Sequence, residues 1–377
     1  MNDTTVNALL DFTLAARDLL EREVSEQLEG IYGLLPNGSF ADAKNYPALS
    51  QLPEARDTRQ RLEQYIADQQ AAGLKPKEAR EKLAREAAFT WLNRLVAFKM
   101  MEGRKLVRQT ITKGAESNAF KLWLAEDANA QDLALYNQGD LPANALGEGP
   151  RQRAYRHFLL WQCGQLAQEI KVLFDADNLP SRFFPRPNAL KSLIDKLNDA
   201  ALADAWVPGN EETIGWVYQG FSARELEEAF RQARVSGRKF EARDIPAVTQ
   251  LFTVRWIVRF LVENTLGRLW VEMHPDSALA TSLQYLVPFK AGKAARLKPV
   301  GEIRLLDPAC GTMHFGLVAF DIFAEMYREE IAHAGQPGWP EKPSVVCADD
   351  IPAAILANNL YGIDIDIRAV QLSALTL

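Results

Sequence analysis

The segment Asp307-Pro-Ala-Cys-Gly-Thr-Met-His-Phe-Gly316 constrains this chain of 377 residues more than any other. It is launched from the hydrophobic run Ile303-Arg-Leu-Leu306 and reads as a β-strand ending in an acidic residue. A turn of small residues follows, and then a helix expected from Phe315 to Ile331. At the carboxyl end of a strand in an open α/β sheet, such a turn lets a ligand approach backbone N–H groups. The strand-end carboxylate then faces a polar group of that ligand. What the turn lacks narrows the ligand. It contains no Gly-Lys-Ser/Thr, and no lysine follows Gly316, which argues against a triphosphate cradle. Met313 stands where a dinucleotide fingerprint needs a close-approach glycine, so a pyrophosphate fits poorly.

A second element supports a nucleotide-sized ligand. Leu360-Tyr-Gly-Ile-Asp-Ile-Asp366 is a short apolar run ending in two carboxylates at alternate positions, which a strand points to one face. In a doubly wound fold, a carboxylate ending the second strand can accept hydrogen bonds from two ribose hydroxyls. The structural alternative for Asp364 is a cap on the following helix, and Asp366 reads as that cap in preference to a ligand. Asp307 and Asp364 lie farther apart than the roughly 20 residues common after a glycine fingerprint, so something is inserted. The insertion holds a proline-rich loop, Gly335-Gln-Pro-Gly-Trp-Pro-Glu-Lys-Pro343. It also holds Asp350-Ile-Pro-Ala-Ala-Ile-Leu-Ala-Asn358, which reads as a short capped helix with proline in its first turn. Upstream, Leu251 to Trp270 reads as a helix capped by Thr253, with apolar residues at 256, 257, 260, 261 and 266 forming one buried stripe.

The string D-P-A-C-G-[ST]-x-x-F resembles the first motif of the S-adenosylmethionine-dependent amino-methylating DNA methyltransferases. A T-P-x-x-[IV]-[VA] segment precedes that motif in the family; Thr253 matches its threonine, whereas Val254 replaces its proline. The order of Thr253, Asp307 and Asp364 is similar to that of the large gamma-type N6-adenine methyltransferases. The phage-defence methylases of the PglX kind in BREX systems are the nearest in pattern, with the DISARM methylase and type IIG restriction-modification enzymes as neighbours. The segments Ala87 to Glu102, Ile214 to Tyr218 and Phe252 to Val258 resemble parts of that family in the same order. The resemblance implies S-adenosylmethionine as cofactor, held by Thr253, Asp307, Pro308, Ala309, Cys310, Gly311 and Thr312 around its methionine part and by Asp364 at its ribose. It implies methylation of adenine N6 in double-stranded DNA, which is gripped mainly by regions beyond this chain, with other defence proteins as further partners.

One element of that family has no counterpart here. Such enzymes carry their chemistry in an [ND]-P-P-[YF] loop that receives the flipped adenine, and no Pro-Pro pair occurs in the chain. The expectation is therefore the amino-terminal part of a longer enzyme, inactive alone, with two strands of an incomplete sheet. The alternative is a non-catalytic helical interaction module that binds defence partners, DNA or a phage inhibitor. His314 and Cys310 are not read as catalytic, because adenine methylation of this type needs neither a histidine base nor a cysteine nucleophile.

Periodicity divides the chain. Helix-forming residues dominate Ala15 to Leu34, Glu54 to Ala72 and Lys77 to Val107, so residues 1–243 read as a mainly α domain. Residues 244–377 read as the start of an α/β Rossmann-like class I methyltransferase domain. Lys99, Arg104, Lys105, Arg108 and Lys113 form the densest basic run, beside Trp91, Phe98, Met100 and Met101. It reads as the solvated end of a helix with an apolar core face, with a DNA-backbone contact as the alternative. Lys290, Lys293, Arg296 and Lys298 form a second, solvated basic connection. A net charge of -6 argues against this portion as the main DNA-gripping surface. Three scattered cysteines and four histidines share no metal-ligand spacing. No apolar run approaches the roughly 18 residues of a membrane span, and a cytoplasmic protein is expected.

Overall fold

A computed structural model describes residues 1–237, 239–241, 244–249, 253–289 and 296–377. Arg243, Leu251, Phe252, Lys290 and Lys293, all used in the sequence reading, lie outside the described residues. The chain forms two compact units, Met1–Phe221 and Ser222–Leu377. Their boundary falls inside the helix Thr213–Ser236, earlier than the junction at residues 243 and 244 expected from composition.

The first unit is helical throughout, apart from one isolated bridge between Leu34 and Phe40. Helix α1 (Asp3–Gly30) starts where the Asn2 side chain accepts the Thr5 N–H at 2.8 Å. Helices α2 (Pro53–Ala71), α3 (Pro76–Gly103), α4 (Pro150–Leu166) and α5 (Pro187–Leu197) each begin on a proline. Its missing N–H costs nothing there, because first-turn donors have no partner within the helix. Helix α3 is the axis of the unit: every residue from Ala87 to Met100 is buried, the pattern of a helix enclosed on all sides. Helix α1 packs along it.

Enclosure on all sides forces polar residues of α3 into the core, and Arg94 and Lys99 are answered by hydrogen bonds there. Arg94 is 1% exposed. Its Nε donates to the Leu173 carbonyl at 2.8 Å and its Nη2 to the Asp175 carbonyl and Ser181 Oγ at 2.9 and 2.6 Å. The guanidinium lies over the Trp91 and Phe174 rings. Within the basic run, Lys99 is buried and donates to Thr112 Oγ1 and Asn198 Oδ1 at 2.8 and 2.7 Å, so its ammonium serves internal packing. Trp91, Phe98 and Met100 are core, as the structural reading of that run expected.

The second unit begins with helix α6 (Thr213–Ser236) leaving the first, and continues through the short helix Ile245–Thr249. Helix α7 (Arg255–Val262), a π segment (Glu263–Gly267) and helix α8 (Arg268–Met273) follow one another without a break. The expected stripe is wrong in phase. Val258, Val262, Leu266, Trp270 and Met273 are buried, whereas Trp256 is 57% exposed and Phe260 and Leu261 are also exposed. The wider turn of the π segment keeps residues four apart on one side, which a regular helical wheel does not anticipate. The expected cap is also corrected: Val254 holds the N-cap position of α7 and no side chain caps it, so Thr253 lies one residue further out.

Two parallel strands follow, β1 (Leu305–Asp307) and β2 (Leu360–Gly362), with Leu305 opposite Leu360 and Asp307 opposite Gly362. Between them run helix α9 (His314–His333), close to the expected bounds, and helix α10 (Ile351–Asn358). Asp350 occupies the N-cap of α10, but its side chain makes no capping hydrogen bond. Leu305 and Leu360 turn toward α9 and α10, while Leu306, Tyr361 and Ile363 are exposed on the other face. A parallel sheet ordinarily has both faces covered, and this one has one face covered among the described residues. The proline-rich insertion is pinned by Trp339, whose indole stacks between the imidazoles of His274 and His333 at 3.9 and 4.8 Å. Among the described residues, no helix is long and apolar enough to cross a membrane.

Replacing Arg94 with methionine keeps most of the volume but takes the donor from the Leu173 carbonyl and removes the guanidinium from over Trp91 and Phe174, while the Ser181 hydroxyl keeps its bond to the Asp175 carbonyl. Urea unfolding of Arg94→Met should show a loss of about 3 kcal/mol. A loss below about 0.5 kcal/mol would mean that the buried guanidinium is not a keystone of α3.

Candidate functional site

Asp307 ends β1, and the chain then turns through Pro308, Ala309, Cys310, Gly311, Thr312 and Met313 into α9. Gly311 sits at φ +52, where a side chain is disfavoured, and no atom lies within 4 Å of the position its Cβ would take. The backbone there faces open space. Met313 also adopts a left-handed conformation, φ 64, a cost of roughly 1 kcal/mol outside glycine. Burial of its side chain and the hydrogen bond from its N–H to the Cys310 carbonyl, 2.8 Å, hold it there. This left-handed pair produces the sharp reversal from strand to helix, and no glycine at position 313 advertised it.

The second carboxylate meets the turn directly. The Gly311 N–H donates to Asp364 Oδ2 at 2.8 Å, and the Asp366 N–H donates to Asp364 Oδ1 at 2.8 Å. The Asp307 carboxylate accepts the Ala309 N–H at 3.1 Å. Regular pairing ends at Gly362, so Asp364 lies beyond the strand and not at its end, contrary to the sequence reading, while Asp366 lies beyond the strand as expected. The turn takes over the pairing instead: Ile363 donates to the Asp307 carbonyl at 2.9 Å and its own carbonyl accepts the Cys310 N–H at 3.0 Å. Asp366 accepts the Arg368 N–H at 2.9 Å as the N-cap of helix α11 (Ile367–Thr376) and pairs with the Arg368 guanidinium at 2.7 Å.

An ionised carboxylate offers about four lone-pair sites. Asp364 uses two in the bonds above and Asp307 uses one, so both retain acceptor capacity beside the open face of Gly311. This donor and acceptor set fits a ligand carrying hydroxyl or ammonium groups. Asp307, Gly311 and Asp364 are half-buried, Cys310 and Thr312 buried, and Pro308 and Ala309 exposed. Thr253 is half-buried before α7, and among the described residues no hydrogen bond links it to the turn.

Three residues that the sequence reading passed over position this site. Asn359, fully buried, donates through Nδ2 to the carbonyls of Val300 and Ile303, both at 2.8 Å. Its Oδ1 accepts the Tyr327 hydroxyl at 2.9 Å. Glu330, also fully buried and one turn on from Tyr327, accepts the N–H groups of Val300 and Ser344 at 2.6 and 2.5 Å. These bonds tie the approach to β1, the residue before β2 and the end of the insertion to a single face of α9.

Cys310 packs beneath the turn. A Cβ on Gly362 would lie 2.9 Å from Cys310 Sγ and 3.1 Å from Met313 Sδ, so the turn can close on β2 only over a glycine. Burial first, and then the carboxylates of Asp364 and Asp307, push the Cys310 thiol up to about 11. The thiol is therefore protonated at neutral pH and is a packing group, not a nucleophile.

Two outcomes follow from this packing. Gly362→Ala should destabilise the second unit by about 1–3 kcal/mol in urea unfolding, and wild-type stability would contradict the close approach. Iodoacetamide near neutral pH should label the exposed Cys347 well before the buried Cys310 and Cys163, with the rate at Cys310 rising only as pH approaches its raised value. Equal labelling of Cys310 and Cys347 would show that the turn is open.

No family model matches the chain. Two curated proteins are similar to it. The adenine-specific methyltransferase BrxX of Escherichia coli O9:H4 strain HS is 31% identical over 324 residues, covering 80% of this chain and 25% of BrxX. The adenine-specific methyltransferase PglX of Lacticaseibacillus casei strain Zhang is 29% identical over 318 residues, covering 77% of this chain and 25% of PglX. The chain thus spans about a quarter of the length of these relatives. Over most of its own length, it is a homologue of the PglX-like adenine-specific methyltransferases.

Proposed function

We propose that the protein is a site-specific DNA adenine-N6 methyltransferase of a BREX-like phage-defence or restriction-modification system, and that residues 307–312 with Asp364 hold S-adenosylmethionine. The observation that carries this reading is the bond from the Gly311 N–H to Asp364. It sets a carboxylate with spare acceptor sites beside an open glycine turn, in a homologue of adenine-specific methyltransferases. The incomplete sheet is then the beginning of a Rossmann-like methyltransferase domain.

In this reading Asp364 accepts the two ribose hydroxyls while keeping its bond to Gly311. Asp307, the backbone at Gly311 and Thr253 hold the methionine end, with Pro308, Ala309, Cys310 and Thr312 shaping the turn around it. When bound, S-adenosylmethionine supplies an electrophilic methyl group on its sulfonium. The contribution of these residues is orientation, which is worth several kcal/mol of barrier when reacting atoms are held in line. The chain contains no Pro-Pro pair, so none of its residues is assigned to receive the adenine. Double-stranded DNA and other defence proteins are the proposed partners.

Within an active enzyme containing this chain, Asp364→Ala should raise the dissociation constant for S-adenosylmethionine by about tenfold. Unchanged affinity would remove Asp364 from the site. Calorimetry on the 377-residue chain alone should give weak binding or none, since among the described residues the sheet has two strands and one covered face. Tight one-to-one binding would sink that expectation.

A further inference from the structure

The first unit contains a cavity of about 560 Å³, within the size range of small-ligand pockets. Tyr155, Phe184, Pro187, Leu190 and Ile194 give it an apolar wall. The carboxylates along the cavity are already committed. Glu148 pairs with Arg156 at 3.0 Å, Asp195 with Lys191 at 3.0 Å, and Asp140 with Arg151 at 3.7 Å. The cations keep donors to spare: the Arg151 guanidinium meets Asp140 at 3.7 Å, beyond hydrogen-bond distance, and no ion pair of Lys113 occurs among the described residues. Behind the wall, the buried Lys99 ammonium is hydrogen-bonded to two lining residues, Thr112 and Asn198, and the Glu102 carboxylate accepts the Thr112 N–H beside it.

We propose that this cavity binds a small amphipathic anion, an aromatic or heteroaromatic ring carrying one carboxylate or phosphate. The ring lies against Tyr155 and Phe184, where edge and face contacts between aromatic groups are favourable. The anionic group takes the free donors of Arg151 and Lys113. An aromatic carboxylate and a nucleoside monophosphate share this chemistry. The site is independent of the methyltransferase reading, since its lining belongs wholly to the first unit.

The test titrates naphthoate, adenosine monophosphate and the neutral naphthamide into the full chain, followed by calorimetry and ligand-observed NMR. At least one of the two anions should bind saturably with a dissociation constant at or below roughly 1 mM. Naphthamide should bind more weakly than naphthoate, or not at all. Preference for naphthoate identifies a carboxylate ligand, and preference for adenosine monophosphate a nucleotide. Lys113→Glu, at an exposed position, should weaken the bound anion by about fivefold. Asn188→Trp, at the exposed rim, should block it, with circular dichroism confirming that both variants are folded. No saturable binding of either anion, naphthamide binding as tightly as naphthoate, or affinity unaffected by both substitutions would overturn the proposal.

Discussion

The hydrogen bond from the Gly311 amide to the Asp364 carboxylate is the contact on which the candidate site depends. It joins residues from two loops that leave parallel strands, and it fixes the turn after β1 relative to the chain after β2. Neither loop has enough regular pairing to achieve this alone, since each strand is three residues long. The two further backbone bonds through Ile363 and the packing of Cys310 over Gly362 close the same gap. Beneath them, Tyr327, Glu330 and Asn359 anchor both strand approaches to α9. A buried polar network of this kind specifies geometry because any slip leaves desolvated groups unpaired.

Much of this was legible in the sequence, and the failures have physical causes. The acidic strand end, the small-residue turn, the helix after it and the parallel second strand all follow from local pattern. Asp366 was recognised as a cap because capping is a local interaction. The stripe on α7 was misread at Trp256, Phe260 and Leu261, which are exposed although they are large and apolar, and was right at Leu266. Thr253 was given a cap that Val254 holds by position alone. Asp364 was placed on a strand, but its run leaves the ladder at Gly362, where the turn captures the free backbone groups. Asn359, Tyr327 and Glu330 went unnoticed because their partners lie 14 to 59 residues away, beyond any local pattern.

The first unit follows a different logic. Its central helix is so enclosed that Arg94 and Lys99 must be satisfied internally, and Lys99, in a run read as the solvated end of a helix, is a core residue instead. The same unit holds a cavity whose carboxylates are paired and whose cations are not fully used. The exposed apolar face of the short sheet in the second unit stands in contrast: Leu306 is 57% and Ile363 58% exposed.

The central claim is that Asp364 organises the turn before any ligand arrives. Amide hydrogen exchange at Gly311, read by NMR in this chain, tests it most directly. In the wild type the Gly311 amide should be protected, and Asp364→Ala should speed its exchange by about tenfold or more while the interior of α9 is unchanged. Equal exchange at Gly311 in the two proteins would contradict the account.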